Sequence, residues 1–280
     1  MSVVGCLSGL ASVLVISCSV GFKFHRKKCK RLIFYLIIAD LIQSIATSSS
    51  WMWMEQEAVA GIACTVQGFL LQFGDVSSAF ASAVIGTCVF CQVLAFDYPI
   101  LKIDNKLFEI VSVVITFGGS LLLALIGFIR EKPNKPFYAP VGYGAWCWIS
   151  DEYNLERLML HYIWIFMICL YLFLTYFLVG FVSCRSKQSV DPSNTAKRAQ
   201  VIKKVAGFPI VFFVVFVPLG SYRLYQWANP GLLVPPAFIG LAICVFALNG
   251  FCNAILYGIS RNIFCKVWEN LSKVTRSTNV

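Results

Sequence analysis

The sequence predicts an all-α membrane protein, a seven-transmembrane helix bundle with a short amphipathic C-terminal helix, and three observations carry that prediction. Of 280 residues, 59% are hydrophobic and only 13% charged, with a mean hydropathy of +0.77, outside the range of ordinary globular chains. The apolar residues come in runs long enough to cross a hydrocarbon core, about 20 residues, and not in the short alternating segments of a β-barrel. The 23 Lys and Arg, against 13 Asp and Glu, gather in alternate connections between those runs, so the basic surplus reads as cytoplasmic loops and not as a nucleic-acid surface. Collagen-like, disordered and disulfide-scaffold classes fail on the same composition.

Seven runs qualify as spans: Ser2 to Phe22, Leu32 to Met54, Gly61 to Phe96, Leu107 to Ile129, Leu155 to Cys184, Val201 to Gln226 and Val234 to Ile259. The third and fifth exceed what a bilayer requires and are expected to tilt or project. The bundle fills residues 1–260, leaving 261–280 for the terminal helix and a short tail.

The first run is followed, not preceded, by the basic cluster Lys23, Arg26, Lys27, Lys28, Lys30 and Arg31. A cleaved signal peptide has the opposite order, so this is expected to be a retained helix with its N-terminus outside. Counting along the chain then places eighteen Lys and Arg on the inner side and five on the outer. The expected topology is N-terminus extracellular and C-terminus cytoplasmic, in the plasma membrane.

Of twelve cysteines, only Cys64, at the outer end of span three, and Cys147, in the second outer loop, are placed to meet in an oxidising space. A bridge between them would pin that loop over the bundle, although sequence alone does not fix connectivity. The sequon at Asn270 falls on the cytoplasmic side and is expected to carry no sugar.

Ionisable groups are costly in a bilayer, so each is a candidate for function. Asp40 lies in mid-span two and Asp75 in span three. Glu109, Glu156, Arg157 and Arg223 are close enough to span ends to reach the headgroups. Asn249 and Asn253 are four apart and share a helix face. With Asp40 and Ser78 they could form a layer holding water, a proton or a sodium ion, or they could simply join helices by hydrogen bonds. No other cofactor is expected.

Pro209 and Pro218 interrupt the backbone hydrogen bonding of span six and offer it a hinge. The outer half is rich in aromatic residues, among them Trp51, Trp53, Tyr143, Trp146, Trp148, Tyr162, Trp164, Tyr225 and Trp227, many of them suited to an interfacial belt. Gln67, Gln72, Asp75, His161, Tyr222 and Arg223 are expected to line a ligand cavity there. On the inner side, Arg185, Lys197, Arg198, Lys203 and Lys204 surround the connection from span five to six, either touching anionic lipid or docking an acidic cytosolic partner. Residues 261–271 read as a helix lying along the inner leaflet, with Cys265 beside it as a candidate for palmitoylation.

These residues resemble the seven-helix G-protein-coupled receptors, and within them the slime-mould cyclic-AMP receptors and fungal glucose- or nutrient-sensing receptors. The resemblance runs from span one to the terminal helix and is most specific at Cys64 to Phe73 with Ser77 and Ser78, and at Tyr143 to Ser150. It implies a Cys64–Cys147 bridge, an outer cavity for a nutrient, sugar or cyclic-nucleotide-like ligand, and activation of a heterotrimeric G protein. Span seven also resembles the Asn-Pro-x-x-Tyr signature of rhodopsin-like receptors, with Ala254 at the proline, which implies switch roles for Asn253 and Tyr257. Phe216 and Pro218 resemble that class's aromatic-x-proline toggle. No Asp-Arg-Tyr closes span three, where Phe96-Asp97-Tyr98-Pro99 stands.

The expectation is therefore a receptor without catalytic activity. A small-solute transporter or channel is the alternative, but no internal duplication supports it. A retinal protein needs a lysine in the last span, which has none. An intramembrane enzyme needs a paired constellation that Asp40 and Asp75, on different helices and without a motif, do not form.

Overall fold

The computed structural model describes residues 1–22, 28–55, 57–95, 106–141, 144–186, 202, 207–229 and 236–260. It contains seven helices apolar and long enough to cross a membrane: Ser2–Gly21, Arg31–Trp53, Ile62–Leu94, Lys106–Arg130, Asp151–Ser183, Gly207–Tyr225 and Gly240–Ser260. They match the seven apolar runs of the sequence, and the chain is a multi-pass membrane protein. Leu170, Phe173, Leu174, Phe177 and Phe181 on span five, exposed on the isolated chain, form the kind of surface that lipid covers.

Span three is the axis of the bundle, with small and polar residues buried along its length. Gly74 lets span two approach it, because a Cβ there would fall 2.7 Å from the Gln43 backbone nitrogen. Close approach through small residues is how membrane helices associate without a hydrophobic driving force between them. Span one joins through hydroxyls: Ser8 Oγ donates to the Ala247 carbonyl at 2.6 Å and accepts from the Phe251 N–H at 3.0 Å.

Two spans contain a π turn, Val114–Gly119 in span four and Leu158–Tyr162 in span five. Span seven has a single turn residue, Leu248, between Pro236–Ala247 and Asn249–Ser260. Its helical hydrogen bonding carries through, with Leu248 N–H donating to Cys244 and Cys252 N–H donating to Leu248. Pro218 lies inside the described helix Gly207–Ala228 and Pro209 two residues after its first described residue, so both stay on span six.

Between spans four and five the chain forms an antiparallel hairpin, β1 (Tyr138–Val141) and β2 (Trp146–Ile149), in the register Tyr138 opposite Ile149 and Pro140 opposite Cys147. Tyr138 Oη donates to the Ala124 carbonyl at 2.8 Å, fastening β1 to span four, and burial pushes that phenol's pKa up. The Cys64–Cys147 disulfide, with a Cα separation of 5.1 Å, fastens β2 to span three. The hairpin is a roof across the disulfide end of the bundle.

Candidate functional site

Mid-bundle, the Asp40 carboxylate collects donors from two other spans. Ser78 Oγ donates to Oδ1 at 2.7 Å, Asn249 Nδ2 to Oδ1 at 2.8 Å and Asn253 Nδ2 to Oδ2 at 2.9 Å. Asn253 Nδ2 also reaches Asn249 Oδ1 at 3.2 Å. All four side chains are buried. The four-residue spacing in span seven, one helical turn, aims both amides at a single acid.

Gln43, one turn beyond Asp40, was not singled out in the sequence. Its Oε1 accepts from Asn249 Nδ2 at 3.2 Å, and its amide lies beside Asp75. Gln43 Nε2 and Asp75 Oδ1 are both buried without a hydrogen bond. The signal for Gln43 was present: a second polar residue on Asp40's helix face inside an apolar run.

Above Asp75 lies a small recess of about 40 Å³. Asp75 contributes to the floor, His161, Tyr162 and Arg223 supply polar groups, and Leu71, Leu219, Ile243 and Phe246 are its apolar contribution. Trp146 and Trp148 bring the β2 strand into the lining. Trp148, His161 and Tyr162 pack edge to face, with centroids 4.9 to 5.7 Å apart. Arg223 lies over the Tyr222 ring, 5.3 Å from its centroid.

Of the six residues expected around a ligand, Asp75, His161 and Arg223 line this recess. Gln67 ties the roof to the bundle instead. Its Oε1 accepts from the Cys147 N–H at 2.9 Å and from Trp53 Nε1 at 2.8 Å, while its Nε2 donates to Ala46 O and Ser50 Oγ. Gln72 holds the π turn of span five, donating to Leu160 O at 2.8 Å and meeting His161 Nδ1 at 2.9 Å. Tyr222 packs edge to face on Phe238.

Arg157 corrects an expectation. It does not reach toward headgroups but is 6% exposed, bonded to Asp151 and to the Ile149 carbonyl, with its guanidinium over Trp148. Glu109 likewise pairs with Arg31 at 2.6 Å and accepts from Tyr35. Each charge finds a partner on a neighbouring segment, which lowers the cost of leaving water.

Phe216 stacks on Phe212 with centroids 4.5 Å apart and meets Phe246 edge-on at 5.4 Å. Phe246 is therefore common to the recess and to the aromatic packing beside Pro218. Tyr257 is buried at the far end, its Oη 2.9 Å from Ser19 Oγ. Lys197, Arg198, Lys203, Lys204, Phe96 to Pro99, Tyr143 and residues 261–280 lie outside the described residues, as does the side chain of Arg185. Among the described residues, no three His, Cys, Asp or Glu side chains converge as metal ligands.

No family model matches the chain. A solved structure of squid rhodopsin superposes with a TM-score of 0.73, covering 96% of this chain and 83% of the rhodopsin at 15% identity. The chain has the rhodopsin fold. Cyclic AMP receptor-like protein A of Dictyostelium discoideum is 26% identical over 266 residues, 93% of this chain. The match spans 62% of that relative's length. G-protein coupled receptor 1 of Arabidopsis thaliana is 22% identical, covering 95% of this chain and 78% of its own. By name the first of these relatives is receptor-like and the second is a G-protein-coupled receptor.

Proposed function

We propose that the chain is a receptor of the plasma membrane that senses an extracellular small molecule, a nutrient, sugar or cyclic-nucleotide-like ligand, and activates a heterotrimeric G protein. The observation that carries this is the recess under the disulfide-bound hairpin, whose floor residue Asp75 lies beside Gln43, which in turn bonds into the Asp40 layer. Ligand binding at one end thus has a physical route to the polar layer and, through Phe246 and Phe216, to span six. A ligand that prefers one arrangement of span six and a G protein that prefers the same one raise each other's affinity.

The hairpin faces outside and the basic connections, Arg185 to Lys204 among them, face the G protein. The resemblance of the Dictyostelium and Arabidopsis relatives, by name a cyclic-AMP-receptor-like protein and a G-protein-coupled receptor, supports this assignment. The test is nucleotide exchange on the host's heterotrimeric G proteins by the receptor in lipid discs, across a panel of nutrients and cyclic nucleotides. Acceleration by one ligand is the expected result; no acceleration by any overturns the reading. Labelling that placed Val280 and Trp148 on the same face of the membrane would overturn the orientation.

A sodium ion at Asp40, Ser78, Asn249 and Asn253 belongs to the same proposal. The set is rich in hard oxygens and Asn253 Oδ1 has no hydrogen bond, which suits a small cation. Both amides present nitrogen to Asp40, so they would turn to admit the ion. A melting temperature higher in sodium than in choline chloride, with the difference abolished by Asp40→Asn, is expected; equal melting in the two salts removes the ion.

A further inference from the structure

We propose that the groove between spans two and four, at their basic end, holds one anionic phospholipid of the membrane. Its phosphate would sit on Lys106 and Arg31 and the start of an acyl chain on Ile110, Val113 and Val114. The groove has a volume of about 400 Å³, and its described lining comes from those two spans. Its charges are unequal. Arg31 Nη1 donates to both Glu109 oxygens, at 2.6 and 2.7 Å, and Tyr35 Oη donates to Oε1 at 3.0 Å, so the acid of the lining is already answered. Lys106 forms no ion pair among the described residues, and Arg31 Nε is buried without a hydrogen bond. One uncompensated positive charge and a spare guanidinium donor remain, which suits a single phosphodiester.

The lining is sorted by depth, which selects an amphiphile over a free anion. Lys106 is the first described residue of span four, Ile110 lies one turn further in, and Val113 and Val114 lie two turns in on the same helix face. At 1.5 Å per residue the groove passes from charge to hydrocarbon over about 12 Å, deep enough to leave the headgroup region and enter the acyl chains. Ile110 and Val114 are 59% and 60% exposed on the isolated chain, so the hydrocarbon half opens sideways, where the bilayer lies. Six Lys and Arg stand between positions 23 and 31, a density that draws acidic lipid to this end of the bundle. A sterol would leave Lys106 without an opposite charge, and a zwitterionic lipid would bring its own cation beside it. Free phosphate would leave the aliphatic half unfilled. The assignment rests on the membrane-spanning fold and not on the receptor reading.

The test takes the full chain in mild detergent, adds phosphatidylserine and phosphatidylcholine in equal amounts, and counts retained lipid by native mass spectrometry. One phosphatidylserine is expected to stay bound, preferred over phosphatidylcholine by about fivefold, the preference that one unpaired lysine near anionic lipid carries. Lys106→Gln should remove that preference and Lys106→Arg should keep it. Ile110→Trp leaves every charge in place but fills the groove, and it should release the lipid. That variant separates a seated lipid from the general attraction of a basic membrane face, which it would not alter. Melting shows whether each variant has folded, and Val114→Trp, at an equally exposed position, takes the place of Ile110→Trp if that one has not. Inorganic phosphate and glycerol 3-phosphate should leave the melting temperature unchanged at concentrations where phosphatidylserine raises it. The proposal is overturned if the two lipids are retained equally, or if folded Lys106→Gln or the groove-filling variant keeps phosphatidylserine like the parent. It is also overturned if the chainless anions bind as well as the lipid, or if a sterol displaces it.

Discussion

The Tyr257 phenol lies 2.9 Å from the Ser19 hydroxyl, joining span seven to span one across 238 residues of sequence. Both are buried near the end of the bundle away from the disulfide. In a chain without Asp-Arg-Tyr at the end of span three, this contact is a candidate for holding the resting arrangement. Ser19→Ala is expected to raise ligand-free nucleotide exchange severalfold while lowering stability by only about 0.6 kcal/mol, the average for such a bond in a membrane. Unchanged basal exchange in a folded variant would show that Tyr257 is restrained elsewhere.

Asp40 accepts three side-chain hydrogen bonds, so Asp40→Asn turns one of its oxygens into a donor facing a donor. A loss of about 1–3 kcal/mol is expected, the usual cost of a buried polar group left unsatisfied. The exchanged pair Asp40→Asn with Asn253→Asp restores the complementarity and should recover most of the lost melting temperature. A double variant no more stable than the single would place the energy elsewhere.

Gln43 lies between the Asp75 floor and the Asp40 layer. Gln43→Leu is expected to bind ligand within about threefold of the parent while its stimulation of exchange falls by about tenfold, a coupling loss within the normal range for linked sites. Proportional losses in both would make Gln43 part of the binding surface.

Gln67 places four hydrogen bonds around the hairpin's attachment, two on each end of its amide. Gln67→Met, close in volume, should cost about 2 kcal/mol and speed ligand dissociation by loosening β2. Reduction of Cys64–Cys147 is expected to act in the same direction, and an off-rate indifferent to both changes would mean that the roof is no barrier.

Arg157 holds the same strand through Asp151, Ile149 O and the Trp148 face. Arg157→Lys keeps the charge but loses the fork and the stacking plane, so it should lower the melting temperature more than Lys135→Met does. Lys135 is fully exposed, and its pKa is raised chiefly by the hydrogen bond to Glu152. That contact persists at neutral pH and is lost only as pH rises through the raised value, so Lys135→Met should matter least above it.

Much of this was legible in the residues. The spans follow from runs of apolar side chains because the bilayer sets their length whatever packs against them. The meeting of Asp40, Ser78, Asn249 and Asn253 was also legible, since four polar groups at one depth of a bundle must find each other. The recess was legible only by half. Asp75, His161 and Arg223 line it, but a glutamine looks the same in a sequence whether it faces a cavity or binds a strand, and Gln67 and Gln72 bind. Arg157 misled because distance from a span end says nothing of the hairpin folded over it. The π turns leave no periodic trace, whereas the buried face of Gly5, Ser8, Ser12, Val15 and Ser19 recurs every three or four residues and was there to be read in the sequence.

The wide turn at Leu158–Tyr162 has one more implication. It accommodates a surplus residue, and so it sets the azimuth of His161 and Tyr162 independently of the rest of their helix. Deleting a single amino acid from that stretch would let the ordinary pitch return while the segments on either side keep their relative orientation, whereas the same deletion from an ordinary turn would swing everything beyond it by about 100°. Shortening the chain by one there would therefore undo the local displacement of His161 and Tyr162 and leave the rest of the span where it is.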